Sequence, residues 1–405
     1  MDNQSGSFAR KTGSLSGFFL TIAVGFVLYF TLNLFHGAGN WFQYDVVVAN
    51  VETSLFYKLA WFTMNFTEAQ FYAGVFASLF MVLGGIIAWR LDVVKSTRQG
   101  FDICYGTNMF PWVLASQLLS LGFTIFIFRY THLLGTGEYT WLPTFITVVA
   151  VPPSLMLLYG PSYRALFTGS ILSALVSYPI AFWIMDRIIP VINVPGVVAN
   201  VTTMAITGIA VVKVCHLLPW MKKVPCPIID KDEPELTEDE KRKAMSKPSW
   251  SLRRALADFT EALFYGNEIA GAFVIIGVSI DWILNAGHPG YGSGVLPAII
   301  LSQFIAAAVG IYLYFDKWVV NGFAGTFVPV VSVGPACVLM FGGTIPVALF
   351  AGIMGGVLGA PIAEYLFDRL VATPEEDYHP TVGNVSAMAV CTIIVSVVMQ
   401  ALPWF

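Results

Sequence analysis

The side chains with the clearest chemical potential in this apolar chain are two glutamates in matching positions. Glu68 and Glu261 each stand third in the tetrapeptide Phe-Thr-Glu-Ala. A carboxylate within an apolar segment is costly to bury, so a duplicated one suggests that it binds a cation or accepts a hydrogen bond from an amide or amine. The structural alternative is a helix start, in which Thr67 or Thr260 caps the helix and the acid lies in its first turn.

Further polar and aromatic residues divide between a solute-binding and a structural interpretation. Ser and Gln inside apolar helices often bond a neighbouring helix, and Asn or Thr after a Gly/Pro break either caps a helix or contributes to a solute site. Phenylalanines pack against lipid or stack on a flat solute. With the two glutamates, the solute-binding candidates are Ser116, Gln117, Ser302, Gln303, Asn200, Thr202, Asn384, Ser386, Asn108, Asn267, Phe71 and Phe264.

Three acids within apolar segments have no counterpart in the other half of the chain. They are Glu268, Asp281 and Glu364. Unmatched intramembrane acids can couple transport to an ion or a proton, or can be structural groups with a partner, and both interpretations stay open.

Motifs for soluble chemistry are absent from the sequence. There is no phosphate-binding glycine loop, no HExxH and no CxxC pair, and the 5 histidines are scattered. The titratable residues form no recognisable acid/base or metal set. We therefore expect no enzymatic activity, no metal, no cofactor and no nucleic-acid partner.

Composition places these residues in a membrane. The chain is 57% hydrophobic and 11% charged, whereas a soluble domain has about 25% charged residues. A bilayer-spanning helix needs roughly 20 apolar residues, and backbone in lipid must satisfy its own hydrogen bonds. The pattern predicts an all-α polytopic integral membrane protein with about eleven transmembrane helices, at 17–35, 70–89, 106–128, 142–159, 165–185, 196–218, 262–284, 295–315, 325–342, 346–367 and 381–403.

After the first segment, the sequence repeats itself. Matches occur in one order along the chain: Phe66–Tyr72 with Phe259–Tyr265, Phe80, Gly84 and Trp89 with Phe273, Gly277 and Trp282, Tyr105-Gly106 with Tyr291-Gly292, Gln117 with Gln303, Thr144-Phe145 with Thr326-Phe327, and Asn200 with Asn384. Each copy has five segments, and an odd number inserts the second copy upside down, giving a 5+5 inverted-topology repeat.

This repeat divides the chain into five parts. We expect a cytoplasmic N-terminus (1–16), an extra transmembrane helix with an external loop (17–57), a first five-helix repeat (58–220), a charged cytoplasmic linker (221–254) and a second five-helix repeat (255–405). The basic residues agree with this topology, since Arg10, Lys11, the 90–103 loop and the linker all fall inside. The predicted location is the cytoplasmic (inner) membrane, with the C-terminus outside.

Short motifs of the chain resemble those of the urea transporters. Phe259–Asn267 followed by Gly271 and Gly277 resembles their first-helix signature, Tyr105–Asn108 and Tyr291–Gly294 resemble their Tyr-Gly-Tyr-Asn loop, and Val194-Pro195 stands in the place of their Leu-Pro helix entry. The resemblance implies two inverted five-helix copies, assembly as trimers and one narrow pore per protomer. Glutamates stand here where that family has Gln, which favours a more cationic or amine-bearing solute. The five-span unit also resembles membrane subunits of sodium-translocating respiratory complexes.

We expect a permease or transporter that moves a small polar solute, such as a cation or an amide, along a pathway between the two repeats. The alternatives are a facilitative urea-type channel for small amides or amines, and a membrane subunit of a larger ion-translocating complex. A homo-oligomer, dimer or trimer, embedded in the lipid bilayer is the expected assembly.

The inverted repeat predicts that the two termini lie on opposite sides of the membrane. Reporter fusions at residues 1 and 405 should therefore give opposite signals, and a fusion in the 90–103 loop should match the N-terminal one. Equal signals from both termini would contradict the inverted arrangement.

Overall fold

The computed structural model describes residues 12–36, 38–229, 236–372 and 378–405. Arg10, Lys11 and part of the predicted linker lie outside these ranges. Within them the protein is all-α, with short 3₁₀ and π segments between α-helices. The α-helices are α1 (Leu15–Leu34), α2 (Tyr44–Asn50), α3 (Leu55–Met64), α4 (Val75–Val93), α5 (Phe110–Gly122), α6 (Val151–Tyr159), α7 (Tyr163–Arg187), α8 (Ile189–Ile192), α9 (Val197–Leu217), α10 (Glu238–Met245), α11 (Pro248–Asp258), α12 (Glu268–Leu284), α13 (Leu296–Leu313), α14 (Phe315–Asn321), α15 (Val333–Phe341), α16 (Ile345–Leu370) and α17 (Thr381–Ala401).

Eight helical segments of the described chain are long and apolar enough to cross a membrane. They are α1, α4, α5 with its π extension to Ile127, α7 continued through α8, α9, α13, α16 and α17. Each coincides with one of the eleven predicted spans. The all-α class and the multi-pass membrane character are thus supported by the structure.

The three remaining predicted spans contain shorter helices. Segment 262–284 contains the 17-residue helix α12, and segments 142–159 and 325–342 contain the nine-residue helices α6 and α15. The last two segments occupy matching places in the two halves, and each reaches its helix through non-helical backbone at Ala150 or Ser332. Hydropathy cannot detect such breaks because the broken backbone has side chains as apolar as those of a full helix.

Helices α4 and α12 cross in close contact. A Cβ on Gly84 would lie 2.9 Å from the Cα of Ala270, and one on Gly277 would lie 2.8 Å from the Cα of Ala77. The two contacts are equivalent, since each glycine faces the matching alanine of the other half. The rings of Phe80 and Phe273, which also match, meet with centroids 6.2 Å apart. Small residues of this kind allow membrane helices to approach closely.

Two tight loops with the same hydrogen bonds precede α4 and α12. The Thr67 hydroxyl accepts the Gly74 amide at 3.2 Å, and the Thr260 hydroxyl accepts the Asn267 amide at 3.2 Å. Neither hydroxyl caps a helix, so the capping part of the structural interpretation is wrong, whereas Glu68 and Glu261 do lie in the first turns of short 3₁₀ helices. The loops instead close through a residue with left-handed backbone, Phe71 in the first and Phe264 in the second.

The N-termini of α4 and α12 are capped in different ways. Asn267 caps its own helix α12, because its side chain accepts the amides of Ile269 and Ala270. Helix α4 is capped from the other half of the chain, by Asp281 of α12, which accepts the amides of Phe76 (3.1 Å) and Ala77 (2.8 Å).

Helix α11 crosses the predicted boundary between linker and second repeat. It covers 248–258, and its residues Trp250 and Arg254 are buried. Among the described residues of the predicted linker, α10 and the first part of α11 are helical.

We expect the α4–α12 crossing to tolerate no added methyl group. Gly277→Ala should destabilise the protein by about 1–3 kcal/mol, because its Cβ meets the α4 backbone. Gly122→Ala in α5 is the matched control, since nothing lies within 4 Å of its added Cβ and alanine favours a helix. Thermal unfolding in detergent measures both, and equal midpoints would contradict the packing argument.

Candidate solute-binding cavity

A cavity of about 600 Å³ lies between the two halves. Three of the paired candidates predicted from the sequence line it together: Glu68 with Glu261, Phe71 with Phe264, and Asn200 with Asn384. The matching tyrosines Tyr105 and Tyr291 also line it. Residues separated widely in sequence thus meet at one place.

The two broken segments supply much of the apolar wall. Phe145 and Val149 come from the first, and Phe327 and Val331 from the second. In many transporters, interrupted membrane helices in corresponding places of the two halves form the solute site. Non-helical backbone is tolerated at membrane depth where it lines a cavity.

The cavity has exposed residues in its lining and shares lining residues with a second cavity. Asp45 and Thr140, both exposed, line its rim. A second cavity of about 700 Å³ shares Tyr105, Thr381 and Asn384 with the first. Its lining also includes Lys317, Asn321, Glu364 and Asp368. The two cavities are therefore neighbours in the protein.

Gln117 and Gln303 do not line the cavity; they bind the two loops that do. Gln303 donates to the Gln70 carbonyl at 3.1 Å and accepts from Tyr72 at 2.8 Å. Gln117 makes the equivalent bonds in the other half, donating to Leu263 at 3.2 Å and accepting from Tyr265 at 3.2 Å. These buried bonds fix the loops that hold Glu68 and Glu261.

The other predicted candidates also lie outside the first cavity's lining. Ser116 and Ser302 donate to carbonyls of their own helices, at Val113 and Ile299. Asn108 accepts from Trp89, and Ser386 donates to Val382. Thr202 is partly buried on α9, and Asn267 holds Gln99 and Phe101 carbonyls besides capping α12.

Each of the three unmatched acids has partners. Glu268 forms an ion pair with Arg253 at 2.7 Å and accepts the Phe101 amide. Asp281 caps α4 and lies 3.5 Å from His288. Glu364 pairs with Lys317, and both line the second cavity.

Arg254 is a functional candidate that the sequence analysis assigned to the linker and so missed. Its guanidinium, 5% exposed, binds Asp258 at 2.9 Å and Glu261 at 2.6 Å. Tyr105 donates to the other Glu261 oxygen at 3.0 Å. The seven-residue spacing from Arg254 to Glu261, about two helical turns, is the signal that could have revealed this cluster.

Glu68 has a different environment from its twin Glu261. Its Oε2 accepts the Trp141 indole N–H at 2.9 Å, while its Oε1 has no hydrogen-bond partner among the described residues. The place of Arg254 is taken by Trp61, whose indole N–H donates to Thr144. Glu68 is 1% exposed.

Comparisons of the chain with protein-family models, curated proteins and solved structures found no match. The resemblance to urea transporters therefore rests on the motifs alone.

Neighbouring arginines should differ sharply in their effect on stability. Arg254→Gln leaves Asp258 and Glu261 buried without their cation, so we expect a loss of about 3–5 kcal/mol. Arg253→Gln is the matched control: its loss should cost less, because its side chain is 47% exposed and Glu268 keeps the Phe101 amide. Denaturation in mixed micelles measures both, and equal losses would contradict the buried cluster.

Proposed function

We propose that this protein is a membrane transport protein that moves a small polar solute along a pathway between two inverted repeats. The observation that supports the proposal most directly is the cavity lined by three twinned pairs, Glu68/Glu261, Phe71/Phe264 and Asn200/Asn384, with a second cavity beside it. Solute sites of inverted-repeat transporters lie where the two copies face each other.

The equivalent contacts between the halves support the inverted arrangement. The Gln117–Tyr265 bond and the Gln303–Tyr72 bond exchange the same two residue types between the copies. On this proposal the full fold has eleven spans, with α6, α12 and α15 as the short ones. The rim at Asp45 then faces outside, and the end at Lys317 faces the cytoplasm.

A facilitative channel of the urea type is the second candidate. The observation that favours it concerns the acids proposed for ion coupling. Glu268 and Asp281 accept hydrogen bonds from backbone amides of a loop and a helix. Because both carboxylates have this structural role, fewer acidic groups are left to bind a coupling ion. A channel needs no such group, because the solute moves down its own gradient.

A plug at the junction of the two cavities tests the pathway. Thr381 lines both cavities, so Thr381→Trp should abolish uptake of labelled urea and methylammonium into proteoliposomes. Val390→Trp is the matched control on the same helix, since Val390 is 37% exposed and lies outside both linings. Wild-type uptake by the Thr381 variant would exclude this route.

The same vesicles separate the two candidates. Accumulation of a probe above its external concentration, driven by a sodium or proton gradient, indicates a coupled transporter. Equilibration that ignores both gradients indicates a channel.

A further inference from the structure

Glu68 and Glu261 both line the cavity, but only Glu261 has a positively charged partner. Glu261 is neutralised by Arg254, which it shares with Asp258, and its second oxygen accepts from Tyr105. The Arg254 guanidinium is further enclosed by the ring of Trp318, 4.7 Å away. This end of the cavity is complete without a solute.

The end at Glu68 is incomplete. Among the described residues no Lys or Arg pairs with Glu68, and its single side-chain donor is the neutral indole of Trp141. A buried carboxylate that has neither a cation nor a full set of donors is unfavourable. Its unpartnered Oε1 therefore favours a hydrogen-bond donor on a bound solute.

The surroundings of Glu68 suit one kind of partner. Tyr291 donates to the Glu68 carbonyl at 3.4 Å, and its ring lies edge-on to both Trp141 and Tyr44, with centroids 6.4 and 6.1 Å apart. Aromatic faces attract organic cations. The exposed carboxylate of Asp45 at the rim adds negative potential along the approach.

We propose, building on the transport function above, that the solute is a small organic cation of the protonated-amine class, and that its ammonium group binds Glu68. The Arg254 cluster makes the twin Glu261 unavailable for this role. The site is thus one-sided, with a single cation bound at the end nearer Asp45. The apolar wall, which includes Phe145 and Val149, accepts the alkyl part of the solute.

Binding of a charged and a neutral probe to the purified full-length protein tests this inference. At neutral pH the wild-type protein should bind n-butylammonium at least about tenfold more tightly than butyramide, because a charge-assisted bond is stronger than a neutral one. This comparison needs no variant, and equal or reversed affinities would overturn the proposal. A reversed order would indicate that the site prefers a neutral amide.

The twin glutamates provide the matched pair of variants. Glu68→Gln keeps an acceptor for the Trp141 indole and should abolish the preference for n-butylammonium, whereas Glu68→Asp should retain part of it. Glu261→Gln should lower thermal stability, because Arg254 loses a partner, while keeping the preference for the cation. The opposite pattern, with the preference lost in Glu261→Gln and kept in Glu68→Gln, would refute the one-sided site. Vesicle uptake of n-butylammonium and butyramide at equal rates would contradict this inference but would still support the transport function.

Discussion

Helices α4 and α12 can cross only because each has a glycine where the backbone of the other passes. Gly84 faces Ala270 and Gly277 faces Ala77, so the crossing is equivalent when viewed from either half. The loops before these helices lead directly to Glu68 and Glu261. A wider crossing would separate those loops and the glutamine bonds that fix them. The cavity therefore depends on a close helix crossing at which two glycines leave room for the opposing backbone.

The two matched sequence segments have similar loops but differ in their charged residues. Trp61 and Arg254 occupy matching places, as do Asn65 and Asp258. In the first half, Glu68 is accompanied by two uncharged residues, Trp61 and Asn65, which both hydrogen-bond Thr144. In the second half the same places form an ion cluster. Both Glu261 oxygens thus have hydrogen-bond partners, whereas Oε1 of Glu68 has none among the described residues.

Much of the fold could be predicted from hydropathy, because a long apolar helix is recognisable by its length alone. Eight spans were found this way. The breaks at Ala150 and Ser332 were not, since transfer of side chains into lipid says nothing about the backbone that bears them. The sequence repeat predicted three pairs that meet in the cavity. It could not separate them from Gln117 and Gln303, which are equally paired and equally buried but bond the loops.

The difference between Glu68 and Glu261 was likewise beyond the sequence. The two glutamates stand in identical tetrapeptides, and their environments are set by distant residues. Trp141 lies 73 residues from Glu68, and Arg254 belongs to a stretch whose high charge indicated a linker. A charged composition describes a segment on average, whereas one buried arginine within it follows from tertiary packing.

The cap that α12 places on α4 has a consequence for biosynthesis. Asp281 follows Ala77 by 204 residues, and a ribosome adding about 5–20 residues per second needs roughly ten to forty seconds to supply it. During that interval α4 has left the ribosome with its first amides unsatisfied by Asp281. The first half must therefore wait in the membrane, or beside an insertion factor, until the second half arrives to complete it. If the halves were expressed as separate chains, α4 would be capped only after the two chains had associated in the membrane.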